Sequence, residues 1–130
     1  MERKTILVVD DDEAQRFLCR EILTDEGYDV LLAENGRKAL EMIEDWKPDL
    51  VILDIVMPTM DGMEALPQIL RKHRKTPVIL NTSYARYRDH FISWAADAYV
   101  LKSPVLGELK EKVKELLSAR YCNWTTERAP

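Results

Sequence analysis

The sequence predicts an α/β protein: a doubly wound, five-stranded parallel sheet with helices on both faces. Three observations carry this. Short apolar runs alternate with longer segments of helical period, five times along 130 residues. The runs are apolar at consecutive positions rather than at every second one, as strands buried on both faces require. Right-handed crossovers between parallel strands then place the intervening helices over both sides of the sheet.

Each element follows in order. Thr5-Ile6-Leu7-Val8-Val9 is the first strand and runs into Asp10, Asp11 and Asp12. Asp12 and Gln15 have capping-box spacing. The helix behind them carries Ala14, Leu18 and Ile22 on one face and stops at Gly27. Residues 28–33 read as the second strand, and Asn35-Gly36 opens a helix with Ala39, Leu40 and Ile43 that closes before Pro48. Leu50-Val51-Ile52-Leu53 is the most apolar strand and ends on Asp54. A loop with Met57-Pro58 leads to a helix over 63–72, with Pro67 in its early part, where a first-turn proline is tolerated. Pro77-Val78-Ile79-Leu80 is the fourth strand and leads to Asn81-Thr82; residues 87–95 form a short helix. Ala98-Tyr99-Val100-Leu101 is the fifth strand, ending on Lys102, and a last helix over 105–117 turns Leu109, Val113 and Leu116 to one side. Residues 120–130 are polar and aperiodic, so the expected division is one domain over 1–119 and a tail or linker stub over 120–130.

Composition agrees with one soluble domain. A chain of this size buries roughly two-thirds of its unfolded surface and needs no disulfide or structural metal. The formal net charge of −4 and the pI near 5.2 argue against a nucleic-acid partner. Cys19 and Cys122 lack CxxC spacing and read as free thiols of a reducing compartment. No apolar run nears the ~20 residues that span a bilayer, and the start reads directly into a strand without a signal peptide. The expected location is the cytoplasm, with no membrane insertion. His73 and His90 lie in charged segments and are expected to face solvent.

In an open parallel sheet, ligands bind outside the carboxyl ends of the strands. Asp10, Asp11, Asp54, Thr82 and Lys102 stand at those ends. Three carboxylates brought together repel one another, and a hard cation relieves that repulsion. Mg²⁺ suits such a site, because it takes few carboxylates and shares phosphate oxygens. Lys102 would add a second positive charge and Thr82 a hydroxyl donor, a set suited to moving a phosphoryl group onto a carboxylate.

Four stretches in order make the chain resemble a response-regulator receiver domain of two-component signalling, of the chemotaxis-regulator kind. They are Ile6-Leu7-Val8-Val9-Asp10-Asp11, Asp49-Leu50-Val51-Ile52-Leu53-Asp54, Met57-Pro58-Thr59-Met60-Asp61-Gly62 and Tyr99-Val100-Leu101-Lys102. The resemblance spans about residues 4 to 119 and implies a flavodoxin-like sheet of strand order 2-1-3-4-5. It implies that Asp54 is the phospho-acceptor, and that Asp11, Asp54 and the Val56 carbonyl ligate Mg²⁺, with Asp10 acting through a metal-bound water. Thr82 and Lys102 would engage the phosphoryl group, and Tyr99 would be an aromatic switch coupled to Thr82. The implied donor is a sensor histidine kinase or a phosphotransfer protein, and the output is a changed protein-binding surface for a downstream target. Such a domain is not an enzyme; it is a phosphoacceptor that assists its own phosphoryl transfer and dephosphorylation.

The chain departs from the family pattern in two places. Lys102 is followed by Ser103 before Pro104, where the family has proline directly, so the peptide that aims the lysine is either a costly cis bond or trans. The interval from Thr82 to Lys102 is also about two residues short. Ser83 competes with Thr82 for its role. Two other functions stay open to the sequence: a receiver-shaped interaction module that is never phosphorylated, and a phosphohydrolase of the haloacid-dehalogenase kind with Asp10 as nucleophile.

Overall fold

A computed structural model describes residues 3–57, 60–73, 75–83, 95–103 and 106–118. The elements among them are β1 (Thr5–Val9), α1 (Glu13–Asp25), β2 (Asp29–Ala33), α2 (Gly36–Trp46), β3 (Leu50–Leu53), α3 (Gly62–Lys72), β4 (Val78–Thr82), β5 (Ala98–Leu101) and α4 (Gly107–Leu116). Residues 87–94 of the expected helix and residues 120–130 lie outside the described residues, as do His90 and Cys122. All four strand pairings are parallel, in the order β2-β1-β3-β4-β5. This is the flavodoxin-like order that the resemblance implied.

Alternation along each strand splits the core in two. Leu7, Val9, Val51, Leu53, Val78 and Leu80 face α2 and α3, where Ala39, Ile43, Ala65, Leu66 and Ile69 meet them. Ile6, Val8, Leu50, Ile52, Ile79 and Val100 face α1 and α4, meeting Cys19, Leu23, Leu109, Val113 and Leu116. The strands are buried on both faces, which is why they read as unbroken apolar runs.

Three local expectations are corrected. The buried stripe of α1 is Cys19 and Leu23; Leu18 and Ile22 flank it, and Ala14 is exposed. Pro67 stands in the second turn of α3, not the first, because the helix opens at Gly62 behind the Asp61 cap. His73 is only 19% exposed, with its Nε2 3.4 Å from Glu44 Oε2, so it ties the end of α3 to α2. Burial pushes the free thiol of Cys19 up to about 11, so it stays protonated at neutral pH.

Candidate functional site

The ends of β1 and β3 carry their aspartates to one place because the two strands pair in parallel, with Val9 opposite Leu53. The Asp10 N–H donates to Ala33 O, and the Asp54 N–H donates to Val9 O, so the ladder continues through both residues. The Asp12 N–H donates to Asp10 Oδ1 at 2.9 Å, and Arg16 Nη1 donates to Asp10 O at 2.7 Å. Asp12 itself accepts from the Ala14 N–H at 2.9 Å, so it caps the helix as expected, through the second helical residue rather than through Gln15, the third.

A close backbone approach fixes Asp54. The Gly62 N–H donates to Ile55 O at 2.7 Å. A Cβ on Gly62 would strike the Asp54 carbonyl oxygen and stand 2.8 Å from Ile55 Cα. The Asp61-Gly62 pair therefore has two jobs: Asp61 caps α3 by accepting from the Glu64 N–H, and Gly62 lets α3 start against the strand end that carries Asp54.

One carboxylate oxygen from each of Asp10, Asp11 and Asp54 lies within 4.8 Å of the others. Asp10 and Asp54 are buried and Asp11 is exposed, so the cluster has a solid floor and an open side. Lys102 lies across it, its Nζ 2.6 Å from Asp10 Oδ2 and 3.2 Å from Asp54 Oδ2. The amine reaches there from the end of β5, where the Lys102 N–H donates to Thr82 O. No peptide bond is cis among the described residues, so the Lys102-Ser103 bond is trans.

Burial pushes the Asp54 carboxyl up from 3.8 to about 6; Lys102 pulls it down and Asp10 pushes it up. Burial by itself would lower the Lys102 ammonium, but its hydrogen bond to Asp10 and the charges of Asp54 and Asp10 outweigh that and raise it. The buried acids thus hold one fixed cation and still carry excess negative charge, and oxygen ligands in that state suit a hard divalent ion.

Asp10, Asp11, Asp12, Asp54, Val56, Ser83 and Lys102 line an open cavity of about 280 Å³. Five of the residues expected at the site are brought together there. Thr82 and Tyr99 are not on its wall. Thr82 is fully buried at the end of β4, while Ser83 beside it is exposed on the cavity. Tyr99 is half-buried on the α2–α3 side, the side on which alternation also puts Thr82. Tyr84, Phe91 and Trp94 lie outside the described residues. Sequence reasoning missed Arg16 as a support of the Asp10 backbone. Its position one turn into α1, above the end of β1, is the signal that could have found it.

A flavodoxin-like sheet with an aspartate cluster at its switch point, spanned by one lysine, is the architecture of a phosphorylation-switched signalling domain. Residues 6–114 match the response regulator receiver domain family, and the chain belongs to that family. The response regulator TrrA of Thermotoga maritima, solved in complex with Mg²⁺-BeF, is 50% identical, with 88% of this chain and 99% of that one covered and a TM-score of 0.86. TrrA has also been solved with the histidine kinase ThkA; that structure matches with a TM-score of 0.83. Chemotaxis protein CheY of Halobacterium salinarum is 36% identical over 118 residues, covering 89% of this chain and 98% of its own. Response regulator MprA of Mycolicibacterium vanbaalenii is 38% identical over 114 residues, covering 86% of this chain but 49% of its own. The chain thus spans about half the length of MprA and of PhoP from Bacillus subtilis, which it also matches. No described helix is long and apolar enough to cross a membrane.

Proposed function

We propose that Asp54 receives the phosphoryl group and that the surrounding residues act as the resemblance implies. The observation that carries this is a buried carboxylate at the end of β3, held against Gly62, on an open cavity shared with Asp10, Asp11 and the Lys102 amine that bridges Asp10 and Asp54. The donor is a phosphohistidine of a sensor kinase or phosphotransfer protein. An Asp54 carboxylate oxygen attacks phosphorus, the P–N bond to histidine breaks, and an acyl phosphate forms. Lys102 leaves the carboxylates to pair with a phosphoryl oxygen, and a hydroxyl from Thr82 donates to another. Asp11, Asp54 and the Val56 carbonyl would hold Mg²⁺, with Asp10 acting through a metal-bound water, and the ion when bound would offset negative charge on the phosphoryl oxygens. Hydrolysis by water later returns free Asp54 and inorganic phosphate, so the domain assists its own loading and unloading without turning over a substrate of its own.

Thr82 and Tyr99 share one side of the sheet, and movement of Thr82 toward the phosphoryl group would free space for Tyr99 to turn inward. That movement is the proposed switch, and a downstream protein reads it. The domain occupies residues 1–119, with 120–130 as a tail or linker stub, and works in the cytoplasm, where kinase and target meet it. The test is mass spectrometry after incubation with acetyl phosphate and Mg²⁺. The wild type should gain one phosphoryl group, and Asp54→Ala should gain none. Full labelling of the mutant would overturn the assignment.

A further inference from the structure

The amino edge of the sheet, at the far end of the strands from the carboxylates, holds a groove that the phosphoryl chemistry does not use. It has a volume of about 480 Å³ and is lined by Lys47, Pro48, Arg71, Lys72, His73 and Lys75, together with Thr76. No carboxylate lines it. Among the described residues, none of the four permanent cations there forms an ion pair. Of the nearby acids on α2, Glu44 lies 3.4 Å from His73, and Asp45 precedes Trp46 in the last turn. The stretch 71–75 is basic at all five positions, in a chain whose net charge is −4.

Two further features meet at this corner. Trp46, the last residue of α2, is 64% exposed, the highest value among the large apolar residues described. Lys47 then takes a left-handed conformation, φ 47°, to close the helix. That position favours glycine or asparagine; here it carries a lysine that lines the groove.

We propose that this groove docks an acidic segment of a partner protein, with an apolar or aromatic side chain of that segment against Trp46. The four cations are complementary to carboxylates. Trp and Arg are the residue types that most often carry interface energy. The negative charge of the molecule as a whole opposes a long polyanion or an anionic bilayer, whereas a short acidic segment meets only the basic groove. Docking here is independent of the reading of Asp54, since none of these residues lines the acid cavity.

The experiment uses the full chain and a fluorescein-labelled peptide of alternating glutamate and phenylalanine, followed by anisotropy. Binding should saturate and weaken with added salt. The triple variant Arg71→Glu, Lys72→Glu, Lys75→Glu should lose about tenfold or more in affinity, and Trp46→Ala about threefold or more. Circular dichroism and acetyl phosphate labelling of both variants should match the wild type, which separates lost docking from lost folding or lost phosphoryl transfer. No binding of the peptide, binding unchanged by the charge reversal, or stronger binding to oligothymidylate or phosphatidylserine vesicles than to the peptide would overturn the proposal.

Discussion

The two ends of the sheet differ in how they handle charge. At the carboxyl edge, Asp10 and Asp54 are buried, Lys102 is held between them, and the backbone beneath is fixed by ladder bonds and by Gly62. At the amino edge, the charges sit on long side chains around an open groove and none of the permanent cations is paired with a described residue. The first arrangement can do chemistry, because its groups have set positions and the acidity of Asp54 and Lys102 is altered. The second can only attract and hold. Changes at buried Asp54 or at Lys102 should therefore alter stability and acidity together, and changes at the amino edge should alter neither.

The largest expected effect comes from Gly62→Val. Any Cβ there meets backbone atoms of Asp54 and Ile55, which cannot turn aside as a side chain would. The variant should lose on the order of 3 kcal/mol or more in urea unfolding, with loss of phosphoryl acceptance in whatever fraction stays folded. A change under about 1 kcal/mol would mean that the α3 start and the β3 end separate easily.

Next in size is Asp54→Asn in metal-free protein. The folded carboxyl titrates at about 6 against an ordinary value of 3.8. Its ionised form is therefore disfavoured in the folded state, and it costs stability increasingly as pH rises from about 4 to about 6, then constantly above that. The amide should stabilise the protein at pH 7 by on the order of 1–3 kcal/mol, and the gain should vanish near pH 4. Thermal unfolding across that pH range checks it, and a gain that grew as pH fell would have the wrong sign. At the other edge, Lys72→Gln should change stability by less than about 0.5 kcal/mol at every pH in the series.

The finest distinction separates two neighbours within the acidic edge. Asp12→Ala removes a helix cap and should cost about 1 kcal/mol while Mg²⁺ binding persists. Asp11→Ala should change stability little and abolish Mg²⁺ binding, followed by tryptophan fluorescence or calorimetry. The reverse pattern would shift the ligand assignment by one residue.

The sheet was legible because a strand buried on both faces leaves no room for polar residues. Leu50–Leu53 and Ala98–Leu101 have the bounds the sequence predicted. Helix faces were less so. In α1, residues spaced by four produce two adjacent stripes, and the buried one runs through a cysteine that packs as a small apolar residue. The aspartates of the site could be placed because strand ends locate backbone. The aim of Lys102 could not, since four rotatable bonds separate its amine from the strand, and only the neighbouring carboxylates decide where it rests. Ser83 and Thr82 show the same limit: adjacent hydroxyls at one strand end, one on the cavity and one sealed beneath it. Lys47 was invisible because its left-handed turn uses a residue that gives no turn signal.

The separation of the two edges has a consequence for signalling. A strand of five residues is roughly 16 Å long, while the screening length at physiological ionic strength is about 8 Å. Along any path through solvent, the field of a phosphoryl group gained at one end is thus largely screened by mobile ions before it reaches the other. Any message between the two ends has to pass as displacement through the packed interior, and added salt should leave it intact.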